Sequence, residues 1–193
     1  PYEDFDLIAV ERVEDLPVWE YGCDSSYSWS MRYKHLAQTT DEVGAADVLE
    51  SKLPHGRFTH PKSGQENMLA FTGGEPMLQQ KQMKGIVNEF AIRGNLPKLV
   101  TVETNATKPL RKDLADWLND FYHDMGGQWH WAMSPKLFQT SGEVGTVKMD
   151  VVMSYMEGVP GSTGICKFVC NGTEASWNEI EEFVQELDEY HKT

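Results

Sequence analysis

The sequence predicts an α/β fold organised around a parallel sheet. From about residue 40 onward short apolar runs alternate with helix-like segments, and the connections between them are short, the pattern of successive strand and helix units. The runs also show little polar alternation, which suits strands covered on both faces.

In chain order, Thr40-Asp41-Glu42 is a helix-start signal, and Val43, Ala46, Val48, Leu49 and Leu53 fall near one face until Pro54, predicting a helix over 41–53. Residues 67–72 predict the first strand, and 77–93 a helix closed by Gly94. The β-branched run 99–104 is the second strand, 110–125 a helix closed by Gly126-Gly127, and 129–133 the third strand. Residues 147–157 read as a looser stretch, 165–169 as a strand, and 175–191 as an amphipathic helix with Ile180, Phe183, Val184 and Leu187 at i, i+3, i+4 and i+7. Residues 1–38 are rich in aromatics but hold no sustained period, so they read mostly as loop. Met68, Met77, Met83, Met133, Met149, Met153 and Met156 are assigned to the core, and the acidic face of the last helix to solvent.

A chain of 193 residues with 40% hydrophobic residues suits one domain, 1–193, with a sizeable core. Seventeen Lys and Arg against thirty Asp and Glu leave a net charge of −13, which opposes binding to a phosphate backbone and argues against a nucleic-acid partner. No apolar run approaches the roughly 20 residues of a membrane span, and the first residues are no signal segment. Three cysteines, Cys23, Cys166 and Cys170, suit a reducing cytoplasm better than a disulfide framework. The start at Pro1 and the stop after a helix-like segment lead us to expect a domain truncated at both ends.

In parallel α/β sheets ligands gather at the carboxyl ends of the strands. The residues just past the predicted strands are Thr72-Gly73-Gly74-Glu75-Pro76, Glu103-Thr104-Asn105, Ser134-Pro135-Lys136 and Asn171-Gly172, nearly all polar or glycine. Gly73 and Gly74 let a ligand's polar end approach the backbone amides, Glu75 can accept from a ligand ammonium, and Pro76 suits the first turn of a helix. The plainer reading is an ordinary strand-to-helix turn. Glu103 and Asn105, two apart at a strand end, share a face and offer an acceptor and an amide; a simple strand-end turn is the alternative. Cys166 and Cys170 have half the spacing of a cluster motif, but position 173 is Thr173, and the segment reads as a buried strand rather than a ligand set. The six histidines show no metal-ligand spacing, and His130, between Trp129 and Trp131, reads as an ordinary core or surface residue.

The segment Thr72-Gly73-Gly74-Glu75-Pro76 after a strand resembles the motif with which radical S-adenosylmethionine enzymes hold the amino group of their cofactor. Gly22-Cys23-Asp24-Ser25, Val102-Glu103-Thr104-Asn105-Ala106-Thr107, Ser134-Pro135-Lys136 and Lys167-Phe168-Val169, in that order, resemble signatures of the 7-carboxy-7-deazaguanine synthases over about residues 20–172. The segment Leu16–Trp29 followed by Arg32–Leu36 looks most like that family's phage-encoded branch. The resemblance implies an incomplete (β/α) barrel of the radical enzyme type. It also implies a four-iron four-sulfur cluster held by three cysteine thiolates, with one iron open to S-adenosylmethionine.

Cys23 resembles the third of those cysteines, with Gly22 and Asp24 beside it at the cofactor. Residues 1–22 contain no cysteine, so the other two are expected upstream of Pro1; the alternative is a lone buried thiol in a chain that has lost its cluster. By the same resemblance Ser25 stands where the family has a magnesium-ligating threonine. Gly73, Gly74, Glu75, Asn105, Ser134, Pro135 and Lys136 would contact S-adenosylmethionine, Thr72 and Glu103 the substrate, and Glu103 would be the catalytic residue.

The reaction so implied starts when the reduced cluster cleaves S-adenosylmethionine to methionine and a 5′-deoxyadenosyl radical. The radical takes hydrogen from 6-carboxy-5,6,7,8-tetrahydropterin, the ring contracts with loss of ammonia, and the hydrogen is returned, leaving 7-carboxy-7-deazaguanine with no net oxidation. The cofactor carries the hard chemistry and the protein orients it. The implied partners are the pterin, a reductant such as flavodoxin and a second copy in a homodimer. Two other functions fit parts of the sequence: an activase that uses the same cofactor to place a glycyl radical on a partner protein, and a clusterless, non-catalytic relic or nucleoside-binding module.

Overall fold

The computed structural model describes residues 31–190. The chain divides into two units, Pro1–Asp41 and Glu42–Thr193. In the first, Met31–Leu36 form a 3₁₀ turn where the sequence reads as loop, and Ala37 N donates to Lys34 O at 3.1 Å as it ends.

The second unit is an α/β fold with a parallel sheet. Its strands β1 (Met68–Phe71), β2 (Leu99–Thr104), β3 (Gln128–Met133) and β4 (Thr163–Cys166) lie side by side in chain order, all parallel. The helices are α1 (Glu42–Lys52), α2 (Gln80–Ile92), α3 (Lys112–Trp117), α4 (Phe138–Ser141), α5 (Met149–Glu157) and α6 (Glu174–Tyr190). Parallel neighbours need a crossover, and α2, α3 and α5 sit in the three crossovers.

The two faces of the sheet differ, contrary to the expectation of unalternating strands. Register places Leu69, Val100, Val102, Trp129, Trp131 and Met133 on one face, all of them buried. The other face carries Ala70, Thr101, Glu103, His130, Ala132 and Ile165. Side chains two apart share a face, so Val-Thr-Val-Glu in β2 and Trp-His-Trp in β3 are alternating patterns after all. The apolar face packs against Val87 and Phe90 of α2, Leu114 of α3 and Val152 of α5 in one core. Met68 is 59% exposed at the edge strand rather than buried.

Three boundaries depart from expectation for identifiable reasons. Residues 149–157 form a helix in which Met149, Val151, Val152, Met153 and Tyr155 are all buried and Asp150, Ser154 and Glu157 line the other side; nine residues are too few to establish a helical period, which is read over roughly 11–18. The expected helix over 110–125 is α3 followed by a π turn, Leu118–Tyr122, in which His123 N reaches back five residues to Leu118 O at 3.0 Å. The last strand begins at Thr163, opposite His130, and ends at Cys166, opposite Met133. It is an edge strand, with Ile165 49% exposed, and the following Val169 is 61% exposed, so residues 165–169 are not a buried strand.

Candidate functional site

Parallel pairing brings the ends of all four strands to one edge of the sheet. Thr72, Asn105, Ser134 and Lys167 are each the first residue past their strands. The ladder runs a step further there, since Ser134 N donates to Thr104 O and Lys167 N to Met133 O, both at 2.7 Å. Four segments far apart in sequence thus converge on one rim.

Glu75 ties two of them together. Its Oε1 accepts from Met77 N at 3.0 Å and from the Thr104 hydroxyl at 2.6 Å, and its Oε2 accepts from Asn105 N at 2.8 Å. The first of these caps the 3₁₀ turn Pro76–Gln79 that leads into α2; the other two clasp the end of β2. A carboxylate has about four lone-pair positions, so three intramolecular donors leave Glu75 room for about one N–H from a ligand. The carboxylate expected to meet a ligand ammonium is therefore first a structural clasp.

The β2 end is held in an uncommon shape. Ala106 has φ 55 although it is not glycine, a conformation that costs on the order of 1–3 kcal/mol and that concentrates at functional sites. Thr104 Oγ1 accepts from Ala106 N at 3.0 Å, and Asn105 Oδ1 accepts from the Thr107 amide and hydroxyl at 3.0 and 2.7 Å. Among the described residues the Asn105 Nδ2 donors are left for a ligand.

On the sheet's polar face a second line of contacts crosses from β1 to β4. The Thr72 hydroxyl donates to Glu103 Oε2 at 3.2 Å, and Lys167 Nζ lies 3.2 Å from Glu103 Oε1. Glu103 stands opposite the small Ala132 of β3, and that gap lets Lys167 reach across. All three side chains are exposed. Lys167 is the residue that sequence reasoning left without a role: the Lys167-Phe168-Val169 segment stands out, but the sequence puts Lys167 inside a strand over 165–169, and only the end of β4 at Cys166 places it on the rim.

The remaining expected residues divide cleanly. Gly73 and Gly74 have φ 80 and 57, and a Cβ on Gly73 would meet nothing within 4 Å, so the loop is open to a ligand. Ser134 is half-buried, Pro135 buried and Lys136 exposed on the same rim; the Lys136 carbonyl accepts from the Thr146 hydroxyl. Their side chains are not drawn into the Glu75 or Glu103 clusters. Gly22, Cys23, Asp24 and Ser25 lie outside the described residues.

Behind the rim Tyr155 of α5 is fully buried, and its hydroxyl donates to the Lys108 carbonyl beside Thr104. Burial pushes this phenol well above the usual tyrosine range. Burial likewise pushes the Cys166 thiol up, while Cys170 Sγ lies 3.2 Å from Ser176 Oγ and accepts from Gly172 N at 3.4 Å. Among the described residues no three His, Cys, Asp or Glu side chains group as a metal site, and no helix is long and apolar enough to cross a membrane.

These groups fit S-adenosylmethionine in part. An open glycine loop, one remaining acceptor on Glu75, the Asn105 amide and an exposed acid suit its ammonium and hydroxyl groups. The cluster's donor set is another matter, because the described cysteines are Cys166, turned to the apolar face, and Cys170, already hydrogen-bonded. The described residues do not supply three thiolates. Comparison of the chain with protein-family models, with curated proteins and with solved structures gives no match.

Proposed function

We propose that the chain is a radical S-adenosylmethionine lyase of the 7-carboxy-7-deazaguanine synthase type, built on part of a (β/α) barrel and working in the cytoplasm on 6-carboxytetrahydropterin. The observation that carries the reading is the clasp of Glu75 on Thr104 and Asn105. Two motifs about thirty residues apart, one resembling the general motif of radical S-adenosylmethionine enzymes and the other a signature of the deazaguanine synthases, are joined by hydrogen bonds at 2.6 and 2.8 Å. A sequential parallel sheet with its polar groups gathered at the carboxyl rim supports it further. The four-iron four-sulfur cluster and S-adenosylmethionine, when bound, supply the one-electron chemistry, and magnesium would steady the substrate carboxylate at Ser25.

The chain's own groups then have definite tasks. Gly73, Gly74, the free lone pair of Glu75 and Asn105 bind the ammonium and hydroxyl groups of the cofactor. Glu103 accepts from the ring N–H groups of the pterin, with Thr72 and Lys167 holding its carboxylate from either side. Lys136 and Ser134 close the rim on the side of β3.

The test is anaerobic expression from the full reading frame, reconstitution with iron and sulfide, and assay of the pterin with S-adenosylmethionine and magnesium. We expect a bound cluster that is lost in Cys23→Ala, and a deazaguanine product. Cofactor cleavage with the pterin untouched would replace this reading with the activase. A folded protein that takes up no iron would overturn it in favour of the clusterless relic.

A further inference from the structure

Five oxidisable rings run in unbroken contact through the core. Tyr155 stacks on Trp131 with centroids 4.8 Å apart, Trp131 meets Trp129 at 5.8 Å, Trp129 meets Tyr122 at 5.6 Å, and Tyr122 stacks on Trp117 at 5.5 Å. The first four are fully buried and Trp117 is half-buried. Phe71 and Phe121 also stack on Trp129 and Trp117, at 6.4 and 5.8 Å, but every ring on the line from Tyr155 to Trp117 is one that can lose an electron.

Packing does not account for the two indoles. Nε1 of Trp129 and Nε1 of Trp131 are buried with no hydrogen-bond partner among the described residues. An orphaned buried donor is unfavourable, and phenylalanine at either position would avoid it. Such groups call for an explanation, and redox use is one of the recognised ones. An indole ring differs from phenylalanine in being readily oxidised by one electron. With no acceptor at Nε1, the oxidised indole keeps its proton and passes the vacancy on instead of trapping it.

The row starts beside the candidate site. The Tyr155 hydroxyl stands next to Thr104, whose own hydroxyl donates to Glu75 at 2.6 Å. It ends at the half-buried Trp117 of α3.

We propose that Tyr155, Trp131, Trp129, Tyr122 and Trp117 form a conduit that carries an oxidising equivalent from the carboxyl rim of the sheet to the surface, sparing the site from a radical that escapes its substrate. For its physiological oxidant, a carbon-centred radical, this rests on the function proposed above. The radical takes an electron from Trp131 through the stacked Tyr155 ring, together with a proton from solvent at the exposed rim, which forms a C–H bond and leaves an oxidised Trp131. The vacancy passes to Trp129 and across the Tyr122 ring to Trp117, while the Tyr155 and Tyr122 hydroxyls, each donating to a backbone carbonyl, keep their protons. At Trp117 a thiol in solution gives up an electron and releases its proton to solvent. The balance is one carbon radical and one thiol consumed, one C–H compound and one thiyl radical formed.

The conduit can be tested without iron or S-adenosylmethionine. A ruthenium photosensitiser is attached through Lys108→Cys, an exposed position whose carbonyl receives the Tyr155 hydroxyl, in the full chain with its three native cysteines changed to serine. After flash oxidation, peptide mass spectrometry maps oxygenated side chains. We expect oxygenation at Trp117 that is suppressed by added thiol, lost in Trp131→Phe and in Trp129→Phe, and retained in Trp177→Phe, which lies outside the row. Circular dichroism establishes that each variant is folded, and two separate breaks guard against the failure of one. Oxygenation of Trp117 that persists through both breaks, or that is absent in the parent, overturns the conduit. Failure to make a deazaguanine in the iron-loaded protein leaves this outcome unchanged, so the two readings fail separately.

Discussion

Removing the Glu75 carboxylate should loosen the rim of the sheet by a measurable amount. Glu75→Ala deletes a capping bond to Met77 N and two bonds that reach across to β2. The cap is worth about 1 kcal/mol, and each hydrogen bond to a charged acceptor about 1.5–3 kcal/mol. Because Glu75 is half-buried, the low end applies, and the variant should lose about 4 kcal/mol. In a chain of this size that is a fall in Tm on the order of 10 °C. Glu75→Gln keeps one acceptor oxygen and should lose about half as much.

Urea unfolding of these variants, of Thr104→Val and of the pair Glu75→Ala with Thr104→Val gives a double-mutant cycle. The pair should cost less than the two singles added together, because both remove the same bond. A loss below about 1 kcal/mol for Glu75→Ala, or strict additivity, would refute the clasp as the element that holds the two motifs together.

Three further outcomes follow from the packing and charges. A Cβ on Gly127 would lie 2.3 Å from the Tyr122 ring, which is wedged against Trp117 and Trp129, so Gly127→Ala should cost up to about 3 kcal/mol. Gly85→Ala meets only the flexible Glu42 side chain and should be neutral or gain up to about 1 kcal/mol in helix propensity; thermal melts compare the two. Burial pushes the phenols of Tyr122 and Tyr155 above the usual range, so the unfolded chain loses these protons first. Their contribution to stability is complete below about pH 10 and falls as pH rises beyond it, and Tyr122→Phe should flatten that fall in urea midpoints measured across the alkaline range. Lys167→Met breaks an exposed ion pair and should change stability by less than about 1 kcal/mol, yet lower pterin turnover in the reconstituted protein; unchanged turnover would remove Lys167 from the site.

Much of the architecture was legible in the sequence because it rests on local rules. Proline and glycine punctuation, together with apolar runs of strand length, marked β1, β2 and β3 to within a residue or two. Helix α5 was not legible because it has only nine residues, fewer than the roughly 11–18 over which a helical period is read, although Asp150, Ser154 and Glu157 at i, i+4 and i+7 mark its polar side. Nor was the end of β4, which depends on where β3 stops offering partners.

For the candidate site, the sequence by itself determined which residue types follow each strand, since Thr72, Gly73, Gly74, Glu75 and Asn105 stand directly after or just beyond apolar runs. Only the tertiary structure decided what each one touches. Glu75 meets Thr104 and Asn105, and Glu103 meets Thr72 and Lys167, across 29 to 64 positions of sequence. Such pairings depend on the register of parallel strands, and register is set by the burial of one face of the whole sheet, a property that no short stretch of sequence contains.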